Sequence, residues 1–189
     1  MKAKILLAGI AALPFAAQAD GFDYTYVEGG YLSSSTDVGP FSVDGDGLGI
    51  RGSFGLNDTL NLFADYSTED FDFGVSTSAF DVGAGGHWGL KDNLDFVGEV
   101  AWIRLEADSG NASASDDGLG VSGGLRYRAN DKVELQGMLN YADVSDSDTS
   151  FGFSGRYYFS KAFALGAGLL FNDGDTAWNI GVRAGFKGH

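Results

Sequence analysis

The stretch from Phe80 to Ile103, FDVGAGGHWGLKDNLDFVGEVAWI, decides the fold. Successive side chains of a β-strand point to opposite faces. On that reading Phe80, Val82, Ala84, Gly86, Trp88 and Leu90 share one face, and Asp81, Gly83, Gly85, His87 and Gly89 the other. Lys91-Asp92-Asn93 is a turn, after which the alternation restarts. Leu94, Phe96, Gly98, Val100 and Trp102 then share one face; Asp95, Val97, Glu99, Ala101 and Ile103 share the other. The stretch is a hairpin of two long strands. Each strand has one apolar face and one mixed, glycine-rich, partly charged face.

The pattern repeats outward in both directions. It predicts ten strands, near Tyr24–Leu32, Gly47–Leu56, Leu60–Ser67, Ser78–Leu90, Leu94–Leu105, Gly118–Arg128, Val133–Ala142, Ser150–Phe159, Phe163–Phe171 and Ala177–Phe186. Four connections are tight: Asn57-Asp58-Thr59, Lys91-Asp92-Asn93, Ala129 to Lys132, and Ser160-Lys161-Ala162. The other five are mostly longer and rich in Asp, Ser and Gly. Short connections on one side and long ones on the other are the layout of an up-and-down antiparallel transmembrane β-barrel. A sheet in hydrocarbon must close, because every backbone N–H and C=O needs a partner. With both termini on the short-turn side the strand number is even. Ten satisfies this; eight is the rival count.

Alternation alone does not say which face is outside, since a soluble lipocalin-like barrel points its apolar face inward. Three features favour apolar-out. Glu28, Arg51, Asp65, Asp81, Glu99, Arg126, Glu134, Arg156 and Arg183 occupy mid-strand positions on the polar face, as mutually paired groups of a filled lumen would. Aromatic residues cluster near strand ends on the apolar face, as two lipid headgroup boundaries select. Lys91, Lys132, Lys161 and Lys187 all sit in turns or the tail, and Arg104, the apolar-face cation, lies at a strand end where it can snorkel. Tyr26, Phe63, Met138, Tyr158 and Leu170 point inward by parity, so no wide pore is expected.

Residues 1–19 read as a secretory signal peptide, and 20–189 as a single barrel domain. Lys2 and Lys4 precede an apolar run that ends near Pro14, followed by the small-residue site Ala17-Gln18-Ala19. Without those two lysines the net charge of −14 becomes −16. So acidic a chain repels nucleic-acid phosphates. With 15 Phe and 2 Pro it does not read as disordered, and with no Cys it is neither a lipoprotein nor a disulfide scaffold.

The run Tyr24-Thr25-Tyr26-Val27-Glu28-Gly29-Gly30-Tyr31 resembles the first strand of small bacterial outer-membrane β-barrel proteins. These are the xanthomonad-type barrels of outer membrane protein X/A-like architecture. The signal stretch Ala12-Leu13-Pro14-Phe15-Ala16-Ala17 is also similar. The resemblance implies a monomeric barrel in the cell outer membrane, among lipid and lipopolysaccharide, delivered by the barrel assembly machinery. It carries no catalytic residues. Such barrels usually end on an aromatic residue, whereas here Phe186 is followed by Lys187-Gly188-His189.

Three kinds of candidate site stand out in the sequence. The nine inward charges read as an ion-pair plug, with a selectivity filter as the alternative. His87, with Asp81 and Asp95 on its face, reads as a lumen hydrogen-bonding group rather than a catalytic base. Asp44, Asp46, Asp143, Asp146 and Asp148 have calcium-like spacing without the bidentate Glu of a full loop. The five long connections hold fifteen of the 26 acidic residues and no Lys or Arg, which suggests weak Ca²⁺ binding at an acidic crown. No other cofactor is expected. The function this supports is a structural or surface-interaction barrel with a side-chain-filled lumen. A narrow porin-like channel for small solutes or ions is the alternative, and an envelope-lipid-modifying enzyme the second.

Overall fold

The computed structural model describes residues 25–38, 41–110, 112–173 and 175–186. The signal-peptide expectation for 1–19 and the final Lys187-Gly188-His189 lie outside them. Ten strands form a closed, all-antiparallel barrel: β1 (Tyr26–Val38), β2 (Phe41–Gly55), β3 (Leu60–Phe71), β4 (Val75–Lys91), β5 (Leu94–Asp108), β6 (Ser113–Asn130), β7 (Val133–Val144), β8 (Asp146–Tyr158), β9 (Phe163–Asn172) and β10 (Asp175–Gly185). Each strand pairs with its sequence neighbours. β1 closes on β10 from Tyr26↔Gly185 to Ser35↔Thr176.

Parity divides every strand as the sequence predicts. Tyr26, Glu28, Leu32 and Ser34 of β1 are buried, while Val27 and Tyr31 are exposed. Tyr26, Phe63, Met138 and Val97 fill the interior. The exterior carries large apolar side chains around its whole circumference, from Ile50 and Leu62 to Leu165 and Val182. Water-soluble monomers rarely expose continuous apolar patches beyond a few hundred Å².

The belt has a constant height. On β9 the exposed residues run Phe163, Leu165, Leu169, Phe171, aromatic at both ends and aliphatic between. Phe80 and Trp88, Phe151 and Phe159, and Trp178 and Phe186 repeat that eight-residue spacing on β4, β8 and the β10 edge. Eight residues at ~3.3 Å each, tilted by about 40°, span about 20 Å of depth. Rings meet across strands at both rims. Tyr31 and Trp178 lie 5.5 Å apart and Phe80 and Trp102 6.3 Å apart at one rim. Trp88 and Phe96 (5.8 Å) and Phe159 and Phe163 (6.2 Å) meet at the other.

The connections differ from expectation at both rims. The predicted long loops are mostly strand: the β1–β2 ladder continues to Val38↔Phe41, and β5 and β6 stay paired to Asp108↔Ser113. Beyond the belt both faces of the sheet meet water, so apolar alternation stops although the backbone ladder goes on. A 3₁₀ turn at Asp72–Gly74 joins β3 to β4, and Ser145 alone, at φ 56°, turns β7 into β8. At the opposite rim two turns are tighter than predicted, because bulges between Gly89 and Lys91 and between Arg128 and Asn130 absorb residues into the strands.

Inward and outward glycines have different surroundings. A Cβ on inward Gly83 would lie 2.2 Å from the Val100 carbonyl oxygen and 2.6 Å from Cζ of Phe63. A Cβ on outward Gly123 would meet nothing nearer than Cζ of Phe96 at 3.7 Å. Gly83→Ala is therefore expected to destabilise the barrel by about 1–3 kcal/mol. Gly123→Ala should be neutral or slightly stabilising. Urea unfolding of each variant in detergent micelles distinguishes them; equal midpoints would refute the distinction.

Candidate functional site

The structure brings most of the predicted lumen charges together across the barrel. Arg183 of β10 faces Glu28 of β1, with Nε donating to Oε2 at 2.9 Å and Nη2 in an ion pair 2.8 Å from the same oxygen. The two residues are in register across the closing ladder. The Arg183 guanidinium also lies 3.7 Å above the Tyr26 ring. Glu134 of β7 forms ion pairs with two arginines at once, Arg126 of β6 and Arg156 of β8, through the same oxygen. Tyr158 (3.4 Å, to Glu134) and Gln136 (3.5 Å, from Arg156) complete this group.

The third group centres on Arg51, which stands opposite Glu28 across the β1–β2 ladder. Arg51, with no exposed surface, donates to Glu99 at 2.7 Å and lies 3.4 Å from Asp65. Glu99 is on β5, three strands from β2, so this contact crosses the lumen. Phe63 stacks under the guanidinium at 4.2 Å and occupies the space that Gly83 leaves. Asp81 is 4% exposed but makes no ion pair among the described residues, because Asp65 sits opposite it in register and Arg51 is engaged by Asp65 and Glu99. The Oδ1 atom of Asp81 is buried with no hydrogen-bond partner.

His87 is buried near the short-turn rim. Asp81 lies six residues up the same strand, about 20 Å away at ~3.3 Å per residue. Asp95 lies one diagonal step across the β4–β5 ladder, since it pairs with Gly89 while His87 pairs with Val97. His87 and Asp81 therefore belong to different levels of the lumen.

The five aspartates of calcium-like spacing do not converge. Asp44 and Asp46 point outward on β2, and the Asp46 carboxylate accepts from the Tyr31 hydroxyl. Asp143 points outward on β7, whereas Asp146 and Asp148 turn toward the lumen on β8. β2 and β7 stand on opposite sides of the barrel. Among the described residues no three His, Cys, Asp or Glu side chains group as metal ligands do. The spacing suggested loops; paired strands separate the same residues by face.

Glu69 falls in the predicted connection between Ser67 and Ser78 but is 3% exposed inside the upper barrel, accepting from Ser34 Oγ at 2.6 Å. Parity carried on from Asp65 through Ser67 would have placed it. Above the Arg51 group a cavity of about 70 Å³ is lined by Phe63, Asp81, Glu99, Ile103, Ser122 and Asn140. It leads toward Asp146 and Asp148 at the rim.

No protein-family model matches the chain, and no curated protein matches it. Among solved structures it is similar to the KdgM porin, at 13% identity over 86% of this chain and 99% of that chain, TM-score 0.46. It is similar to Ail, the attachment invasion locus protein of Yersinia pestis, at 13% identity over 86% and 97%, TM-score 0.44. It is also similar to Neisserial surface protein A, at 16% identity over 85% and 96%, TM-score 0.44. Likeness at this level assigns neither family nor function.

Because Glu134 serves two arginines, the groups should respond unequally to loss of a partner. Glu134→Leu leaves Arg126 and Arg156 facing each other without their shared carboxylate. A cost of about 3–5 kcal/mol is expected. Arg156→Leu should cost less, since Arg126 still holds Glu134. Unfolding midpoints in micelles measure this order; a smaller loss in Glu134→Leu than in Arg156→Leu would contradict the shared-acceptor geometry.

Proposed function

We propose that the chain is an outer-membrane β-barrel whose lumen is filled by its own side chains and whose role is structural or surface-interactive. The observation that carries this reading is the buried Arg–Glu network inside a continuous apolar exterior. Arg51, Arg126, Arg156, Arg183, Glu28 and Glu134 are each no more than 5% exposed. Buried charges held by partners on different strands favour one rigid arrangement, and removing a partner is costly. The exterior supports insertion: an aliphatic band bounded by two aromatic rims matches a thin hydrocarbon layer. Arg104 fits the same picture, since it sits above Trp102 and pairs with exposed Glu106 at 2.9 Å.

In this reading the surrounding partners are outer-membrane lipid and lipopolysaccharide, with the barrel assembly machinery acting at insertion. Lipid against every strand suits a monomer. The rim holding Lys132, where Phe186 N–H donates to the Thr25 carbonyl, faces the periplasm. The rim holding Asp116 and Asp146 faces outward. An impermeant thiol reagent on intact cells should label Asp116→Cys and spare Lys132→Cys. Labelling at Lys132→Cys would reverse the orientation.

Conductance separates the plug from the channel alternative. The purified barrel in planar bilayers should show no steady ohmic current. A stable current that rises in Arg51→Ala would replace the filled-lumen reading by a narrow pore for small solutes or ions.

A further inference from the structure

The upper lumen carries an excess of negative charge that the plug does not neutralise. Asp65, Asp81 and Glu99 share the Arg51 level. Asp65 and Asp81 are directly opposite one another across the β3–β4 ladder, an arrangement of like charges that is destabilising by itself. The Arg51 guanidinium contacts Asp65 and Glu99. Glu28, opposite Arg51 across the β1–β2 ladder, is held by Arg183, and the Glu134 group lies nearer the short-turn rim. Asp81 is left 4% exposed, with a buried Oδ1 that has no partner, on the wall of the cavity.

Phe63, which stacks on Arg51, and Glu99 line one end of the cavity, and Asp146 and Asp148 line the other. Its wall is mixed. Ser122 and Asn140 provide polar atoms, and Ile103 provides an aliphatic surface. At about 70 Å³ it exceeds the ~10–15 Å³ that one water needs.

We propose that this cup binds one small primary ammonium ion, with the Asp81 carboxylate as the principal acceptor and Glu99 beside it. An ammonium group presents three donors to such acceptors and has no need of a lone pair. Ca²⁺ demands six to eight converging oxygens, and among the described residues no three acidic or imidazole ligands converge. The aliphatic wall at Ile103 suits the carbon end of an alkylammonium ion, which a hydrated metal ion lacks. Asp146 and Asp148 at the rim raise the local concentration of cations without contacting the bound one. The inference uses only the interior of the barrel, so its failure leaves the membrane-facing reading untouched.

The test is an NMR titration of the refolded barrel in zwitterionic micelles at fixed ionic strength and neutral pH. Propylammonium should give saturable shifts at the amides of Asp81, Glu99 and Ser122; sodium and tetramethylammonium, which lacks N–H donors, should not. Asp81→Asn should weaken propylammonium binding about tenfold, the loss of one charge-assisted hydrogen bond. Asp143→Asn, an outward aspartate, should leave it unchanged. The proposal is overturned if no saturable shift occurs, if sodium or tetramethylammonium shifts the same amides equally, or if Asp81→Asn binds like the parent. Should Asp81→Asn fail to fold, Ala101→Leu, at a position that also lines the cavity, fills the cup without altering charge; binding retained in that variant overturns the proposal equally.

Discussion

The ladder between β1 and β10 is the constraint on which the rest depends. In a medium without water, each unpaired backbone N–H or C=O would cost several kcal/mol. Ten registered pairs from Tyr26↔Gly185 to Ser35↔Thr176 remove that edge. Closure also creates the interior. It places Arg183 beside Glu28, residues from opposite ends of the chain, and sets a diameter across which Arg51 of β2 reaches Glu99 of β5. An open sheet of the same strands would have none of these contacts.

Once closed, the barrel must fill its centre, and it does so with charged and aromatic groups placed against glycines. Gly83 admits the Phe63 ring, which supports the Arg51 guanidinium. The filling is uneven along the axis. Arg126 and Arg156 share Glu134 near the short-turn rim, whereas higher up Arg183 and Arg51 contact Glu28, Asp65 and Glu99 and leave Asp81 without an ion pair among the described residues. The lumen thus has a cation-rich base and an anion-rich upper chamber. A field of that shape draws cations toward the cup and meets any that pass it with arginine.

The crown above the belt is sheet rather than loop. Tyr31 donates to Asp46, Ser34 to Glu69, Asn172 to Asp148 (2.5 Å) and Ser145 to Asp116 (2.5 Å). Hydroxyls and amides therefore hold many of its carboxylates in place. Its acidity is distributed over both faces of paired strands, which separates Asp143 from Asp146 and Asp148 by face.

Strand number, strand direction and the face of each side chain were legible in the sequence, because a period of two is enforced by the pleat wherever one face meets lipid and the other the lumen. Glu28, Arg51, Asp81 and Glu134 could be placed inward on that basis alone. Where both faces meet water the signal vanishes, so the strand extensions to Val38, Asp108 and Val144 were read as loops, and Glu69 was missed with them. Partnership was not legible at all. Parity assigns a face but neither height nor azimuth, and these depend on register, shear and closure. Only the closed barrel decided that Glu134 joins two arginines, that Arg51 spans the lumen, that His87 and Asp81 stand at different levels, and that Asp81 faces a cavity.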